Sequence, residues 1–368
     1  MTTPQPTPPA QKRGGSHWPA IRLVALLVAA AGGYYAYVRS QNRVEPADEY
    51  RELQKGYFAR LGPALKLAPE YQDADGDLVA DPPADPAKFL KLEEIAFTVV
   101  PSEDPEQQKR EQEAWQDFLA ALEKATGKKV KYLSEVTGTD AQLAAVREGR
   151  LHVTAFNTGL VPAAVNTAGF VPLFAPADAA GNFSYEMEVL VRPDSPVHKP
   201  EDLRGKTLGF VAMSSNSGAK APMFILKDRF GLLPGRDYRF VVAGRHEEAV
   251  KGLLEGKFDA ACVANDLLAR MYAAGEYKGV KIGPDRVRSV LKSEPFPPLC
   301  FGVPHHLPPE LRDKVRAAFE GFKFEGTSVG RQYAGQGKVR FAPVNYKLNW
   351  AYVRQIDESL SRLAEGAK

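Results

Sequence analysis

Through most of the chain, short apolar runs alternate with stretches in which apolar residues recur at helical spacing. Ile95–Val100 is a continuous apolar run of strand length, and the segment after Pro105 places Trp115, Phe118 and Leu122 on one helical face. Strands alternating with helices are typical of parallel sheets that are covered by helices on both faces. The pattern therefore predicts an α/β protein.

The same pattern predicts further elements along the rest of the chain. The remaining predicted strands are Val130–Leu133, Leu151–Phe156, Tyr185–Arg192, Lys206–Val211, Phe240–Val242, Phe258–Val263, Val287–Ser293 and Leu299–Val303. A further helix is predicted to be capped by Asp140. The remaining predicted helices are Val161–Asn166, Ala219–Phe230, Glu247–Leu254, Asp266–Ala274, Pro309–Phe322 and Lys347–Ala364.

The N-terminal region has a different pattern. Residues 1–17 are polar with basic residues among them, and the apolar segment 18–38 follows. Its uncharged stretch Leu23–Val38 is near the lower limit for a spanning helix, which needs about 17–25 residues. Because positive charge precedes this segment, we predict a cytoplasmic tail, a membrane anchor and an exported body. A cleaved signal peptide predicts the same export and stays the alternative.

Residues 39–93 are predicted to be a linker. Their acidic part, Asp73–Pro86, places several Asp residues around Gly76, an oxygen-rich spacing similar to calcium loops. The Glu that closes an EF-hand loop is absent, so the pattern equally predicts a solvated, Pro-rich spacer. Calcium binding within Asp73–Asp85 stays an open question at this stage.

Composition and charge exclude several classes of function. The 368 residues suffice for two or three domains, and 48 Lys+Arg nearly balance 45 Asp+Glu without a concentrated basic run, so no nucleic-acid partner is expected. Cys262 and Cys300 lie in apolar surroundings and are predicted to be buried, although an exported protein also allows a disulfide between them. No zinc spacing, nucleotide-binding loop or nucleophile elbow is present. We therefore expect no metal, no cofactor and no enzyme.

Five segments, in this order along the chain, carry a resemblance to a known family. They read FTVVPSEDPE, VREGRLHVTAFNTG, MEVLVRPDSPVHKPEDLRGKTLGFVAMSSNSG, VVAGRHEEAVKGLLEGKFDAACVANDLL and LPPELRDKVRAAF, of which the third is the strongest. Their order and spacing over about Ile95–Ala342 resemble the substrate-binding proteins of phosphate/phosphite/phosphonate ABC transporters. The resemblance implies a two-lobed α/β fold of the periplasmic-binding-protein type (type II), with lobe one at 94–184 and 294–368 and lobe two at 185–293.

The resemblance also implies a function. A protein of this family captures a small phosphorus oxyanion (phosphonate, phosphite or phosphate) for uptake by an ABC transporter permease. We expect a monomer on the periplasmic side of the cytoplasmic membrane, held there by the N-terminal helix unless that segment is cleaved. A membrane-anchored domain that senses the same ligand for a signalling partner is the alternative, and an enzyme is a distant third.

The candidate site begins in the loop between a predicted strand and a predicted helix. Ser215, Asn216, Ser217 and Gly218 lie there, where backbone N–H groups and hydroxyls can donate to an anion. The resemblance implies ligand contacts from this loop. Ordinary N-capping of the helix is the structural alternative.

The resemblance implies four further contacts, from Thr139, Phe156, His246 and Asp266. The structural alternatives are strand core for Phe156, a loop histidine for His246 and a helix cap for Asp266. Thr139 and Phe156 stand where family members often carry Tyr. Leu299 stands where amine-recognising members carry Asp, which favours a small ligand without an amine, such as phosphite, methylphosphonate or phosphate.

Overall fold

The computed structural model describes residues 65–101 and 104–366. The predicted tail 1–17, the predicted membrane or signal segment 18–38 and the first part of the predicted linker, up to residue 64, lie outside the described residues. Among the helices that are described, none combines the length and the apolar character needed to cross a membrane.

The strands follow the predicted alternation with helices. In chain order they are β1 (Glu94–Thr98), β2 (Lys129–Tyr132), β3 (Val153–Phe156), β4 (Phe170–Ala177), β5 (Met187–Val191), β6 (Thr207–Phe210), β7 (Arg239–Val242), β8 (Ala260–Ala264), β9 (Glu276–Tyr277), β10 (Val280–Lys281), β11 (Arg288–Lys292), β12 (Cys300–Pro304) and β13 (Arg340–Pro343).

The α-helices fill most of the connections between these strands. They are α1 (Pro105–Thr126), α2 (Thr139–Arg147), α3 (Val161–Ala168), α4 (Ala221–Phe230), α5 (His246–Leu254), α6 (Asn265–Ala274), α7 (Pro309–Gly321), α8 (Ser328–Gln332), α9 (Tyr346–Asn349) and α10 (Ala351–Gly366). Short 3₁₀ turns lie at Pro86–Lys88 and Pro200–Leu203.

Helix α1 shows how the local sequence sets an element. The Asp104 side chain accepts a hydrogen bond from the N–H of Glu106 at 3.0 Å, and Pro105 occupies the first helical position. Gly127 ends the helix in the left-handed conformation, with φ of 70°. The face carrying Trp115 and Phe118 is buried against the first sheet and α7, as the spacing predicts.

Two mixed sheets form the body. The first has the order β13-β4-β12-β3-β1-β2, with β1 parallel to β2 and β3 and the other pairs antiparallel. The second has the order β11-β5-β8-β6-β7, with β6 parallel to β7 and β8. In both sheets the parallel strands point their carboxyl ends to one edge, and the loops that follow them emerge there.

Strand β4 was not predicted from the sequence. All eight of its residues are buried between β12 and β13, although it contains Pro172 and Pro176. Pro172 lies opposite Gly302, where the pairing with β12 shifts register, and Pro176 lies opposite Phe341 of β13. The irregular register accommodates a residue type that cannot donate to a regular ladder.

The chain passes between the two sheets in two segments, residues 178–186 and 293–299. The segments are hydrogen-bonded to each other, because the N–H of Tyr185 donates to the carbonyl of Phe296 at 3.0 Å and the N–H of Phe296 donates back at 2.8 Å. We call this pair of segments the crossing ribbon.

The described part of the predicted linker, residues 65–93, packs against the body, and we call it the strap. The N–H of Ala68 donates to Asn166 of α3 at 2.8 Å, and the N–H of Leu90 donates to His306 at 3.0 Å. The ring of Tyr71 packs edge-on against His305, with ring centres 4.9 Å apart. These contacts lie on either side of the acidic stretch Asp73–Pro86, most of whose residues are exposed, as the solvated-spacer interpretation expects.

The acidic loop of the strap is ordered by its own backbone. Leu78 donates its N–H to Asp73 at 3.2 Å, and Val79 donates to Asp77 at 2.8 Å. Oxygen atoms of Asp73, Asp75 and Asp77 all lie within 4.8 Å of one another. Burial, together with these neighbouring carboxylates, raises the pKa of Asp77.

The two cysteines are separate thiols. Cys262 lies in β8 of the second sheet and Cys300 in β12 of the first, and both are free and fully buried. Burial raises the pKa of both thiols far above the usual range. They therefore act as small core side chains, which is the first of the two sequence-based interpretations.

Candidate functional site

The predicted site residues follow the carboxyl ends of parallel strands in both sheets. Thr139 begins α2, after β2, and Ser215 follows β6. His246 begins α5 after β7, and Asp266 lies in the first turn of α6 after β8. Edges of this kind are where open α/β sheets bind ligands, because the loops there are free to vary while the strands hold them in place.

The loop after β6 forms a wide helical turn, Asn216–Lys220, that leads into α4; we call it, with its cap Ser215, the serine turn. The hydroxyl oxygen of Ser215 accepts the N–H of Gly218 at 3.1 Å, which is the predicted N-capping. The N–H of Lys220 donates to the carbonyl of Ser215 at 3.1 Å. A π-type turn at a helix start is a frequent mark of functional sites.

Two glycines permit close backbone approaches around this turn. A Cβ at Gly218 would lie 2.4 Å from the Cβ of Val211, so the turn can lie directly on the end of β6 only without a side chain there. A Cβ at Gly159, in the loop after β3, would lie 2.3 Å from the carbonyl oxygen of Ser214 and 2.7 Å from the N of Asn216. The loop edges of the two sheets are therefore in backbone contact at this point.

Tyr185 is a further candidate residue that the sequence analysis did not name. It lies in the crossing ribbon, and its hydroxyl accepts a hydrogen bond from the amide of Asn216 at 3.1 Å. The same hydroxyl is hydrogen-bonded to Thr158 and Ser217, and burial raises its pKa. Its position at the start of a predicted crossing strand, beside the predicted lobe boundary, was the available signal.

Lys220 is the last residue of the serine turn, and it is buried. Its ammonium donates to the carboxylate of Asp357 and to the carbonyl of Gly159, both at 2.6 Å. The side chains of Lys220 and Asp357 are 6% and 2% exposed. Burial raises the pKa of Asp357, an effect that the Lys220 charge opposes. The ion pair ties together the turn, the loop after β3 and helix α10.

His246 is the first residue of α5. Its Nδ1 accepts the N–H of Ala264 at 3.3 Å, so the neutral ring carries its proton on Nε2 and can donate it. Burial lowers the pKa of His246. The negative charge of Glu247 raises this pKa, whereas the positive charges of Arg270 and Arg245 lower it further. The imidazole is therefore a neutral hydrogen-bond donor near pH 7.

Asp266 does not cap its helix. Ala264 occupies the cap position of α6, and Asp266 accepts the N–H of the neighbouring Leu267 at 2.8 Å, so the helix-cap alternative is wrong. Burial raises the pKa of Asp266. Burial raises the pKa of Tyr185 and of Tyr333, and the charge of Asp266 acts in the same direction on both hydroxyls.

The two remaining candidates lie on the first sheet. Phe156 is fully buried, and its ring packs edge-on against Phe170 with ring centres 4.8 Å apart, as expected for strand core. Thr139 begins α2 and is half-buried. Gly138 occupies the cap position of this helix, so the expectation that Asp140 caps it is wrong. A ligand contact from either candidate stays a prediction.

Within the described ranges, one group of three possible metal ligands is found, Asp73, Asp75 and Asp77. It belongs to the strap and not to the edge that carries the serine turn. At that edge the serine turn offers hydroxyls and backbone N–H groups at a helix start, His246 offers a neutral imidazole, and Asp266 adds one carboxylate. Such an arrangement suits a small anion better than a metal or an organic cofactor.

Comparison with known proteins agrees with this geometry. Residues 97–347 match the family described as the periplasmic substrate-binding protein of phosphonate ABC transporters. A binding-protein component of an ABC phosphonate transporter from Pseudomonas aeruginosa is 17% identical, with a TM-score of 0.59 over 76% of this chain and 90% of that one. PhnD1 from Prochlorococcus marinus, solved with methylphosphonate, is 13% identical, with a TM-score of 0.57 over 73% and 99%.

A protein of Xanthomonas citri bound to chloride ion is similar to the same extent, at 17% identity and a TM-score of 0.57 over 75% of this chain and 99% of that one. At these identities the structural likeness is one of fold, and it confirms the predicted periplasmic-binding-protein type. The family match spans more than half of the chain. This chain therefore belongs to the family of periplasmic substrate-binding proteins of phosphonate ABC transporters.

Proposed function

We propose that this protein captures a small phosphorus oxyanion (phosphonate, phosphite or phosphate) outside the cytoplasm and delivers it to an ABC transporter permease. Family membership supports this, since the family consists of extracytoplasmic binding proteins and not of enzymes. The methylphosphonate complex of PhnD1, which has the same fold, supports the choice of ligand class.

The observation that carries the proposal is the serine turn. Asn216 and Ser217 are 2% and 3% exposed, yet they are polar residues in the first turn before a helix. Free N–H groups at a helix start carry partial positive charge and favour a bound anion. The nearest buried cation, Lys220, is already paired with Asp357. Donors without an unpaired cation suit an anion that has to be released again.

The other contacts come from around the same cleft. His246 would donate its Nε2–H to a phosphoryl oxygen, and Asp266 and Thr139 would line the cleft from the two sheets. Residues 94–184 and 294–368 would form lobe one, with 185–293 as lobe two. Ligand that touches both lobes would favour the closed arrangement.

The protein would act as a monomer tethered to the membrane. The apolar segment 18–38, preceded by the basic tail 1–17, supports an anchor that leaves the body on the periplasmic side. Leu299, which replaces the acidic residue of amine-recognising relatives, supports a ligand without an amine. Phosphite, methylphosphonate and phosphate are therefore the first ligands to test.

The experiment is calorimetric titration of the full chain, purified in detergent, with these three oxyanions. Ser217→Ala should weaken binding about ten- to a hundredfold, since a hydrogen bond to a charged oxygen is worth roughly 1.5–3 kcal/mol. Ser217→Asp should abolish binding, because its carboxylate would take the place of the ligand charge. Ser134→Asp introduces the same charge at an exposed position and should bind like the parent. Parent-like affinity in the Ser217→Asp variant would sink the assignment.

A further inference from the structure

The amide of Asn216 leaves one hydrogen-bond acceptor unused. Its nitrogen donates to the hydroxyl of Tyr185 at 3.1 Å. Its oxygen Oδ1 is buried and has no hydrogen-bond partner among the residues that the structure describes. Buried acceptors without a donor are rare in folded proteins. A ligand that brings a hydrogen-bond donor to the serine turn would complete this acceptor.

The orientation of this amide is fixed by a chain of hydrogen bonds that begins at a proline. The carbonyl of Pro297 can only accept, so the hydroxyl of Thr158, 2.8 Å away, donates to it. With its proton committed, the Thr158 oxygen accepts the proton of Tyr185, to which it is hydrogen-bonded. The Tyr185 oxygen then accepts from Asn216. The amide NH₂ accordingly faces Tyr185, and Oδ1 is the atom without a partner.

The serine turn therefore combines two opposite demands. Its helix start favours negative charge. Its buried carbonyl oxygen repels another bare oxygen and needs an O–H opposite it. A singly protonated oxyanion, which carries both a negative charge and one P–OH group, satisfies both demands, whereas sulfate near neutral pH carries no proton.

We propose that Oδ1 of Asn216 accepts a hydrogen bond from the P–OH group of the bound oxyanion, so that the site selects a ligand that still carries a proton and rejects sulfate. This rests on the proposed function. It adds a proton requirement that separates the candidate ligands. Methylphosphonate loses its only P–OH at its second ionisation, near neutral pH, whereas phosphate keeps one after the same step.

The charged and titratable groups around Asn216 act on both ligands alike. Lys220 and Asp357 lie behind the turn as an ion pair. Tyr185 stays neutral because burial raises its pKa, and Asp266 acts on it from α6. A titration of any of these groups would shift the affinities for methylphosphonate and phosphate together. The difference between the two ligands therefore isolates the P–OH group.

The test is calorimetric titration of the full chain in detergent with methylphosphonate, phosphate and sulfate, from about pH 5.5 to about pH 8.5, which brackets a second ionisation near neutrality. Above that ionisation, the dissociation constant of methylphosphonate should rise about tenfold per pH unit, with uptake of one proton on binding, and that of phosphate should rise much less. Sulfate should not bind. A methylphosphonate affinity that is constant or grows with pH, or tight binding of sulfate, overturns the proposal.

Tyr185→Phe removes the hydroxyl that orients the amide and should reduce the difference between the pH responses of the two ligands. Tyr346→Phe removes a buried hydroxyl far along the chain and should preserve it. If the Tyr185→Phe variant keeps the parent's full difference between the pH responses of methylphosphonate and phosphate, the hydrogen-bond chain is not what orients Asn216, and the inference fails. If the parent binds no phosphorus oxyanion at any pH, the proposed function itself fails.

Discussion

Replacing Gly159 by Ala tests the contact between the two sheets directly. The backbone at this position is not left-handed, so Ala fits the conformation and the effect is purely steric. The new Cβ would lie 2.3 Å from the carbonyl oxygen of Ser214, whereas real Cβ atoms essentially never come within 3.0 Å of another heavy atom. Both neighbours are backbone atoms, so the two loops must move apart. The move would also disturb the Gly159 carbonyl that accepts from Lys220 at 2.6 Å.

Overpacking of this kind costs about 1–3 kcal/mol. We expect the Gly159→Ala variant to lose that much free energy of unfolding in a urea titration and to bind its oxyanion more weakly, because the serine turn is displaced. Gly321→Ala is the matched control: its Cβ would meet nothing within 4 Å, and it ends helix α7. Ala is the better helix former by up to about 1 kcal/mol, so the control should be as stable as the parent or slightly more stable. If Gly159→Ala matches the parent in both stability and affinity, the two loops are not in contact in solution.

Three further predictions concern stability. Lys220→Met should lower the free energy of unfolding by about 3–5 kcal/mol, because it leaves Asp357 buried without its counter-charge. The double variant K220M/D357L should recover most of this loss. A Lys220→Met variant as stable as the parent would contradict the prediction. A chain that starts at Glu94 lacks the strap and should have a lower melting temperature, measured by calorimetry, than a chain that starts at Leu65. Equal melting temperatures would show that the strap contributes nothing to stability. Burial lowers the pKa of His305 to about 4, so the unfolded chain binds a proton that the folded chain does not. Stability present above about pH 6.5 should therefore be lost as the pH falls toward 4, and His305→Gln should flatten this slope in melting curves.

Local signals were sufficient where an element carries its own start and stop. Asp104, Pro105 and Gly127 delimit α1 without reference to the rest of the chain, and the alternation of strands and helices predicted the α/β class. Strand β4 lacks such signals because it contains Pro172 and Pro176, and proline is rare inside a sheet. At Pro172 the shift in register with β12, which is a property of the folded sheet, makes room for the proline.

The candidate site was predictable to the extent that it follows strand ends. The serine turn, His246 and Asp266 were predicted from motif and position, and the structure places each of them after a strand end, whereas their contacts with a ligand stay a prediction. The partner of Lys220 is 137 residues away in the chain, so no local pattern indicates that its charge is neutralised. The contacts of the strap were not predictable for a similar reason. They are made by backbone groups of Ala68 and Leu90 and by the ring of Tyr71, and no local pattern indicates them.

The crossing ribbon has a mechanical consequence. Two chain segments that are hydrogen-bonded to each other resist sliding and separation but can still bend and twist together, so bending and twisting are the motions of the two sheets that this ribbon permits. Tyr185 belongs to the ribbon and also holds the amide of Asn216. Each bend of the ribbon therefore moves a residue that orients the binding turn. If the serine turn binds the ligand as we propose, the ribbon and the binding site share Tyr185, and a change that stiffens the ribbon should also alter the affinity.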